Sequence, residues 1–270
     1  MVPDRCPAMG HDARMTGGID RDAVVSALAC AGCVAAEDEA DELTTAAPDQ
    51  ATLRRMLTRR TTGEPLAWIT GRTTFCGRSL IVDPGVYVPR WQSSPLARRA
   101  SRHLPREGIG VDLGTGSGAV ALVMMSARPR ARVVGTEIDT RAAACARRNR
   151  VEVYRGSLYD PLPEELVARV DVVVGVLPYV PSGSLHLLPR DVTCFEPEVA
   201  LDGGRDGLEV VGKAVRQGPR WLRSGGWLLL ESGSDQVGPV ADLMAQSGFS
   251  QLDVVRDGDG DVRGVVGRCR

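Results

Sequence analysis

Aromatic residues and lysine are scarce in this chain of 270 residues. Phe, Tyr and Trp together make up 4% of the residues, and Lys213 is the single lysine. So few aromatic rings argue against a surface that stacks nucleic-acid bases. The chain carries 33 Lys and Arg residues against 34 Asp and Glu, a formal net charge of −1. This balance excludes a strongly basic protein that neutralises many phosphates, and it disfavours nucleic acid as a partner.

Long apolar runs and clustered metal ligands are absent as well. The sequence has no run of about 18 apolar residues, so we expect no transmembrane helix and no membrane partner. Its first residues lack the apolar stretch of a signal peptide. The C-x-x-C from Cys30 to Cys33 has no second pair and no neighbouring histidine, so we expect no metal site. These features are typical of a cytoplasmic protein.

The spacing of apolar residues indicates a small helical domain followed by a hairpin. Residues 19–71 predict three short helices, with Asp20 and Asp49 as the N-caps of the first and third. We interpret this domain as a module for substrate docking or packing. Residues 72–89 predict a β-hairpin linker, with short strands at Arg72–Phe75 and Ser79–Val82.

Strands alternate with helices in the remaining residues, 90–270. This alternation is typical of a parallel, doubly wound sheet, and it predicts an α/β fold. The predicted strands are Ile109–Leu113, Ala131–Gly135, Val151–Arg155, Val170–Val176 and Trp227–Glu231, and the predicted helices are Ala119–Ala127 and Thr140–Asn149.

A glycine-rich loop joins the first of these strands to a helix. Gly114, Gly116 and Gly118 alternate with Thr115 and Ser117, so the backbone can turn sharply and approach a ligand closely. The following helix offers free N–H groups and the positive end of its dipole. Asp112 precedes the loop, and a carboxylate there suits a cationic ligand better than a pyrophosphate.

An acidic residue follows at the end of the next predicted strand. Glu137 lies at about the distance from the loop at which a carboxylate binds both hydroxyls of a ribose. Together with Asp112, it favours a nucleoside that carries an amino-acid tail and no pyrophosphate. S-adenosylmethionine has this chemistry, and we predict it as the cofactor.

Several further stretches resemble one enzyme family. With the loop they are similar to the HemK/PrmC family of protein-(glutamine-N5) methyltransferases, class I enzymes that modify the Gly-Gly-Gln loop of peptide chain release factors. The resemblance spans about residues 20–270. The stretches that carry it are Gly63–Gly71, Phe75–Gly77, Val82–Arg90, Val111–Gly118, Leu188–Asp191, Phe195–Gly207 and Leu222–Glu231.

The resemblance implies a Rossmann-like class I methyltransferase sheet behind the N-terminal helical domain and the hairpin linker. It also implies a release factor as the partner. The cofactor-binding residues would be Asp112, Gly114, Thr115, Gly116, Gly118, Glu137, Ser157 and Leu158. The substrate-binding residues would be Arg90, Glu196 and Pro197.

The chain departs from the family pattern at the catalytic motif. Residues Val176 to Tyr179 stand where the family has Asn-Pro-Pro-Tyr. In that motif the Asn side-chain oxygen and a backbone carbonyl accept the two N–H groups of the substrate amide, which aligns its nitrogen with the methyl group. Val176 cannot accept a hydrogen bond, but Pro178 and Tyr179 can still line the acceptor site. Gln92 and Ser93 replace the family's Glu and Thr, and Ser157 replaces an Asp near the adenine.

Three functions remain open at this point. The first is a methyltransferase that acts on a substrate nitrogen, such as the amide of a release factor glutamine. The second keeps the fold and the cofactor but has a different, non-amide acceptor, such as a small molecule. The third is a non-catalytic paralogue that binds S-adenosylmethionine or a protein partner without turnover.

Overall fold

Short helices form the N-terminal part of the protein. The computed structural model describes residues 18–270; the stretch before them, in which the sequence has no signal peptide pattern, lies outside the described residues. Asp20 and Asp49 cap their helices as predicted: their carboxylates accept hydrogen bonds from the backbone N–H of Ala23 (2.8 Å) and Thr52 (2.7 Å). The helices are α1 (Arg21–Cys30), α2 (Ala36–Ala46), α3 (Gln50–Thr61) and α4 (Leu66–Thr70).

These helices have a hydrophobic core of their own. It contains Val24 and Leu28 of α1, Leu43 of α2, Leu53 of α3 and Ile69 of α4. This first compact unit ends at Thr70, and the second begins at Gly71. The hairpin of β1 (Arg72–Phe75) and β2 (Arg78–Ile81) therefore belongs to the second unit.

A seven-stranded sheet is the centre of the second unit, in the order β5-β4-β3-β6-β7-β9-β8. The first five strands in this order run parallel, and β9 lies antiparallel to both of its neighbours. The predicted alternation is thus confirmed, whereas the antiparallel pair at one edge goes beyond the prediction. The strands are β3 (Ile109–Leu113), β4 (Arg132–Glu137), β5 (Glu152–Arg155), β6 (Val170–Gly175), β7 (Leu222–Glu231), β8 (Phe249–Arg256) and β9 (Val262–Cys269).

Helices pack against the sheet, and its central strands are mostly buried. In β6, residues 172–175 are all buried, as expected of a parallel strand that is covered on both faces. The helices of this unit are α5 (Ser94–His103), α6 (Ala119–Ala127), α7 (Thr140–Arg148), α8 (Arg190–Phe195), α9 (Glu209–Trp221) and α10 (Val237–Gln246).

The strand order positions a site at one edge of the sheet. From β3 the chain moves outward to β4 and β5, and then returns to place β6 on the other side of β3. In open α/β sheets, ligands bind outside the carboxyl ends of the strands at such a reversal. The predicted glycine loop follows the end of β3, and Glu137 is the last residue of β4. Val176 directly follows β6.

Candidate active site

The glycine loop after β3 adopts a backbone that few other residues could adopt. Gly114, Gly116 and Gly118 have φ values of +61°, +57° and +88°, in the left-handed region that favours glycine. Gly118 caps α6, and a Cβ there would lie 2.8 Å from the Val151 side chain. At Gly116 a Cβ would meet no atom of the described residues within 4 Å. The loop therefore faces open space at Gly116 and packs against protein at Gly118.

Asp112 holds this loop to the helix behind it. Its Oδ2 accepts hydrogen bonds from the Thr115 hydroxyl (2.6 Å) and from the backbone N–H of Ala121 in α6 (3.0 Å). The side chain is buried, and its residue is only 1% exposed. This burial raises the pKa of Asp112 to about 7, against the lowering effect of both hydrogen bonds. A positive charge placed nearby would favour the ionised carboxylate.

Glu137 closes β4 and is also tied to the loop. Its Oε2 accepts a hydrogen bond from the backbone N–H of Gly116 (2.8 Å), and its Oε1 accepts one from Asp139 (2.9 Å). Burial raises the pKa of this carboxyl. An ionised carboxylate has about four lone-pair positions, so each oxygen can accept one more hydrogen bond.

A cavity of about 300 Å³, here called the loop cavity, opens beside the loop. Among the predicted site residues, it is lined by Gly114, Gly116, Glu137, Ser157, Leu158, Val176, Pro178 and Pro197. Asp112 and Thr115 line a small cavity of about 40 Å³ that shares Gly114 and Gly116 with it. Gly118 instead packs against Val151 and Ala146. The structure thus brings most of the predicted cofactor residues together.

A second cavity, of about 430 Å³, also borders Val176; it is here called the Tyr179 cavity. It shares Tyr87, Val176, Leu177 and Ala200 with the loop cavity. The Tyr179 hydroxyl donates a hydrogen bond to Glu231 Oε1 (3.1 Å). Burial and the nearby Glu231 raise the pKa of Tyr179, so its phenol keeps its proton.

Two predicted substrate-binding residues bind each other. Arg90 lines the Tyr179 cavity, and its guanidinium pairs with the carboxylate of Glu196. The Glu196 side chain is 1% exposed, and burial raises its pKa to about 7 although Arg90 opposes this rise. The next residue, Pro197, lines the loop cavity. The ion pair therefore ties the loop after α8 to the segment before α5.

The cavities are also lined by residues that were not predicted to bind a ligand. Tyr87 lines both cavities, Lys213 lines the loop cavity, and Glu231 and Ser232 line the Tyr179 cavity. Gln92, noted above only as a departure from the family pattern, lines the Tyr179 cavity as well. Glu231 carries a signal that could have found it, because it is an acidic residue at the carboxyl end of an apolar strand, like Asp112 and Glu137. Lys213 has no such sequence signal, because it lies in α9 and only the fold brings it to the loop cavity.

Comparison with known proteins agrees with this geometry. The model of the family described as "Methyltransferase small domain" matches residues 94–174. A release factor glutamine methyltransferase of Geobacter sulfurreducens is 37% identical over 81% of this chain and 78% of its own. One of Neisseria gonorrhoeae is 38% identical over 82% of this chain and 83% of its own.

The chain belongs to the release factor glutamine methyltransferase family. This confirms the resemblance drawn from the sequence. A solved methyltransferase of Pyrococcus furiosus, 19% identical, superposes with a TM-score of 0.52 over 72% of this chain and 89% of its own, and it supports the fold. The protein is a methyltransferase with a Rossmann-like class I sheet, and its cofactor is S-adenosylmethionine. Between residues 18 and 270, no helix is long and apolar enough to cross a membrane.

The loop cavity fits this cofactor. Gly116 leaves open space beside the loop, and Glu137 retains lone pairs next to it. The side chain of Ile138 is more than half exposed and lines the same cavity, where it offers an apolar surface to a base. The buried carboxylate of Asp112 suits a ligand with positive charge.

Proposed function

We propose that the protein transfers a methyl group from S-adenosylmethionine to the side-chain amide nitrogen of a glutamine in a peptide chain release factor. The observation that carries this proposal is the wall that the two cavities share. Tyr87, Val176 and Leu177 border both of them, so an acceptor in the Tyr179 cavity would meet a cofactor in the loop cavity. A cytoplasmic location would follow from this substrate, since release factors act on ribosomes.

The cofactor would be held mainly by the ends of β3, β4 and β5. When bound, S-adenosylmethionine supplies an electrophilic methyl group. Glu137 would bind the ribose hydroxyls, and Asp112 with the loop would bind the methionine part. Ser157 and Leu158 would border the base. Of the other predicted loop residues, Thr115 and Gly118 would act by shaping the loop, since Thr115 bonds to Asp112 and Gly118 packs against Val151.

The acceptor would lie against the segment that follows β6. Among the described residues, none donates a hydrogen bond to the carbonyl of Leu177, which is therefore available for one N–H of the substrate amide. Pro178 and Tyr179 would line the acceptor site next to it. The Tyr179 backbone is held by Gln236, whose Nε2 donates a hydrogen bond to its carbonyl (2.8 Å).

Exposed apolar side chains near the cavities favour a protein as the acceptor. Trp91 is 60% exposed and Leu187 is 73% exposed, and each directly precedes a residue that lines the Tyr179 cavity. Val199 is 53% exposed and lines the loop cavity. Exposed apolar side chains beside a cavity are suited to contact with a macromolecular partner. The N-terminal helical unit would add to docking.

A second candidate function keeps the cofactor and changes the acceptor. Val176 favours it, because an apolar residue there does not select an amide. An amine, hydroxyl or carboxylate of a small molecule would need no such selection. The third candidate is a paralogue that binds the cofactor without catalysing methyl transfer.

Intact-mass spectrometry of a release factor tests the proposal. The factor is incubated with this protein and S-adenosylmethionine, and free S-adenosylhomocysteine is quantified in the same tube. We expect a gain of one methyl group, localised to the glutamine of the Gly-Gly-Gln loop. A factor with that glutamine changed to alanine is the control. Turnover of the cofactor without methylation of the factor would favour another acceptor, and absence of any turnover would favour the paralogue.

A further inference from the structure

Three buried oxygen atoms of the Tyr179 cavity have no hydrogen-bond partner within residues 18–270. They are Gln92 Oε1, Glu231 Oε2 and Ser232 Oγ, and all three residues line this cavity. Glu231 is 5% exposed and Ser232 is 3% exposed. Buried polar atoms are nearly always paired, because an unpaired one has lost its hydration without compensation. Three such atoms around one cavity therefore indicate a polar ligand.

The chemistry of these atoms defines the ligand. Gln92 Oε1 is an acceptor, and so is Glu231 Oε2 when the carboxyl is ionised. Glu231 is also fixed in place, because its other oxygen accepts the hydrogen bond from Tyr179 (3.1 Å). The Ser232 hydroxyl can donate as well as accept. A primary amide complements such a set, because its N–H groups donate to acceptors and its carbonyl accepts from a hydroxyl.

We propose that Gln92 and Glu231 bind the N–H of the acceptor amide that Val176 cannot bind, and that Ser232 donates to the amide carbonyl. The inference rests on the proposed function and deepens it by naming the groups that select a glutamine side chain. The Leu177 carbonyl takes the other N–H. In this arrangement the amide is recognised by residues at and just after the end of β7 and in the segment before α5, instead of by the motif after β6.

This arrangement also distinguishes glutamine from glutamate. A glutamate carboxylate has no N–H to donate to Gln92 Oε1 or Glu231 Oε2, so both buried acceptors would stay unpaired. Such unpaired contacts are an effective source of specificity. The cavity should therefore bind an amide and reject the acid of the same shape.

Equilibrium binding tests the inference without requiring turnover. The full-length protein, saturated with S-adenosylhomocysteine, is titrated with a release factor and with the same factor carrying glutamate in place of the target glutamine. We expect the glutamine form to bind at least about tenfold more tightly. Gln92→Leu and Glu231→Gln should each reduce this ratio to below about threefold. Gln246→Leu and Glu164→Gln, at exposed positions, are the matched controls.

Two further measurements separate binding from a purely structural role. Gln92→Leu removes an unpartnered buried atom, so its melting temperature should stay the same or rise while the ratio falls. Adding Val176→Asn to Gln92→Leu should restore the ratio, because the amide oxygen returns at the motif position. If Gln92 had only a structural role, Gln92→Leu should lower the melting temperature, and adding Val176→Asn should not restore the affinity ratio.

The outcomes of the binding and mass experiments are independent. A wild-type protein that does not discriminate, or variants that discriminate as well as wild type, would overturn the inference even if the release factor is methylated. Discrimination that depends on Gln92 and Glu231 without any methylation would support the inference and reject the proposed function.

Discussion

At the scale of single residues, Asp112 shows how burial and ligand charge act on the same group. Its carboxyl stabilises the loop in either protonation state, because Oδ2 accepts hydrogen bonds from Thr115 and Ala121. A pKa of about 7 means that about half of the cofactor-free molecules carry a proton there at neutral pH. The proposed cofactor is cationic, so it should bind the ionised form better.

We expect the affinity for S-adenosylmethionine to rise by about tenfold between pH 5.5 and 7, as the fraction of ionised Asp112 rises. Asp112→Asn should weaken binding at pH 7 and remove most of this dependence. Isothermal titration calorimetry over this range measures both effects. Asp41→Asn is the control, since Asp41 pairs with Arg21 in the N-terminal helical unit. A wild-type affinity that is constant with pH would contradict the role assigned to Asp112.

At the scale of elements, the loop between β3 and α6 has glycines for two different reasons. Gly118 must adopt a left-handed backbone and also leave room for Val151. Gly116 needs only the left-handed backbone, and its missing side chain leaves space for a ligand. The sequence pattern treats both glycines alike, whereas the structure assigns one to packing and one to the cavity.

Two alanine variants should separate these reasons. Gly118→Ala should lower the free energy of unfolding by about 2–4 kcal/mol, from backbone strain and overpacking together. Gly116→Ala should lower it by about 1 kcal/mol through strain alone. Relative to its effect on stability, Gly116→Ala should nevertheless reduce the affinity for the cofactor more than Gly118→Ala does. Urea unfolding and calorimetry on the same preparations test this, and equal losses of stability would contradict it.

The elements that could be predicted from sequence are those whose local pattern agrees with their packing. Ile109–Leu113 and Ala119–Ala127 have the predicted bounds because a buried apolar run, a glycine loop and an alanine-rich helix follow each other. Helix α9 was missed because Gly212, Gly218 and Pro219 disfavour a helix, and packing of its apolar face overrides them. Strand β8 is not among the predicted elements, although apolar and polar residues alternate along part of it, a pattern that favours a half-buried strand.

The site shows the same division between local and distant information. Carboxylates at strand ends can be found from sequence because each follows an apolar run. The pair of Arg90 and Glu196 cannot, because 106 positions separate its members. Likewise, the convergence of Gln92 and Glu231 on one cavity depends on how α5 and β7 pack. Sequence therefore gives individual groups, and the fold determines which of them meet.

At the scale of the whole molecule, buried carboxyls should set the pH dependence of stability. The pKa values of Asp112 and Glu196 are raised to about 7, and those of Glu137 and Glu231 are raised as well. Between pH 4.5 and 7 the folded protein therefore binds more protons than the unfolded chain, whose carboxyls titrate near pH 4. A state that binds more protons is stabilised by lower pH.

The cofactor-free protein should accordingly be less stable at pH 8 than at pH 5.5, by about 2–4 kcal/mol. Urea unfolding across this range measures the loss. The double variant Asp112→Asn, Glu196→Gln should lose clearly less stability over the same range, because two of the titrating groups are gone. Stability that rises steadily with pH would mean that these carboxyls are ionised in the folded protein.

The position of β9 between β7 and β8 has a consequence for synthesis. Strand β8 leaves the ribosome before β9, yet in the finished sheet β9 is the strand that joins it to β7. Until β9 is made, β8 has no partner and β7 presents an open edge. Glu231 lies on that edge, and in the finished sheet it lies opposite Gly264 of β9. The wall of the Tyr179 cavity therefore reaches its final form only after the last of the seven strands has been added, so a nascent chain at that stage would have its glycine loop but not its acceptor site.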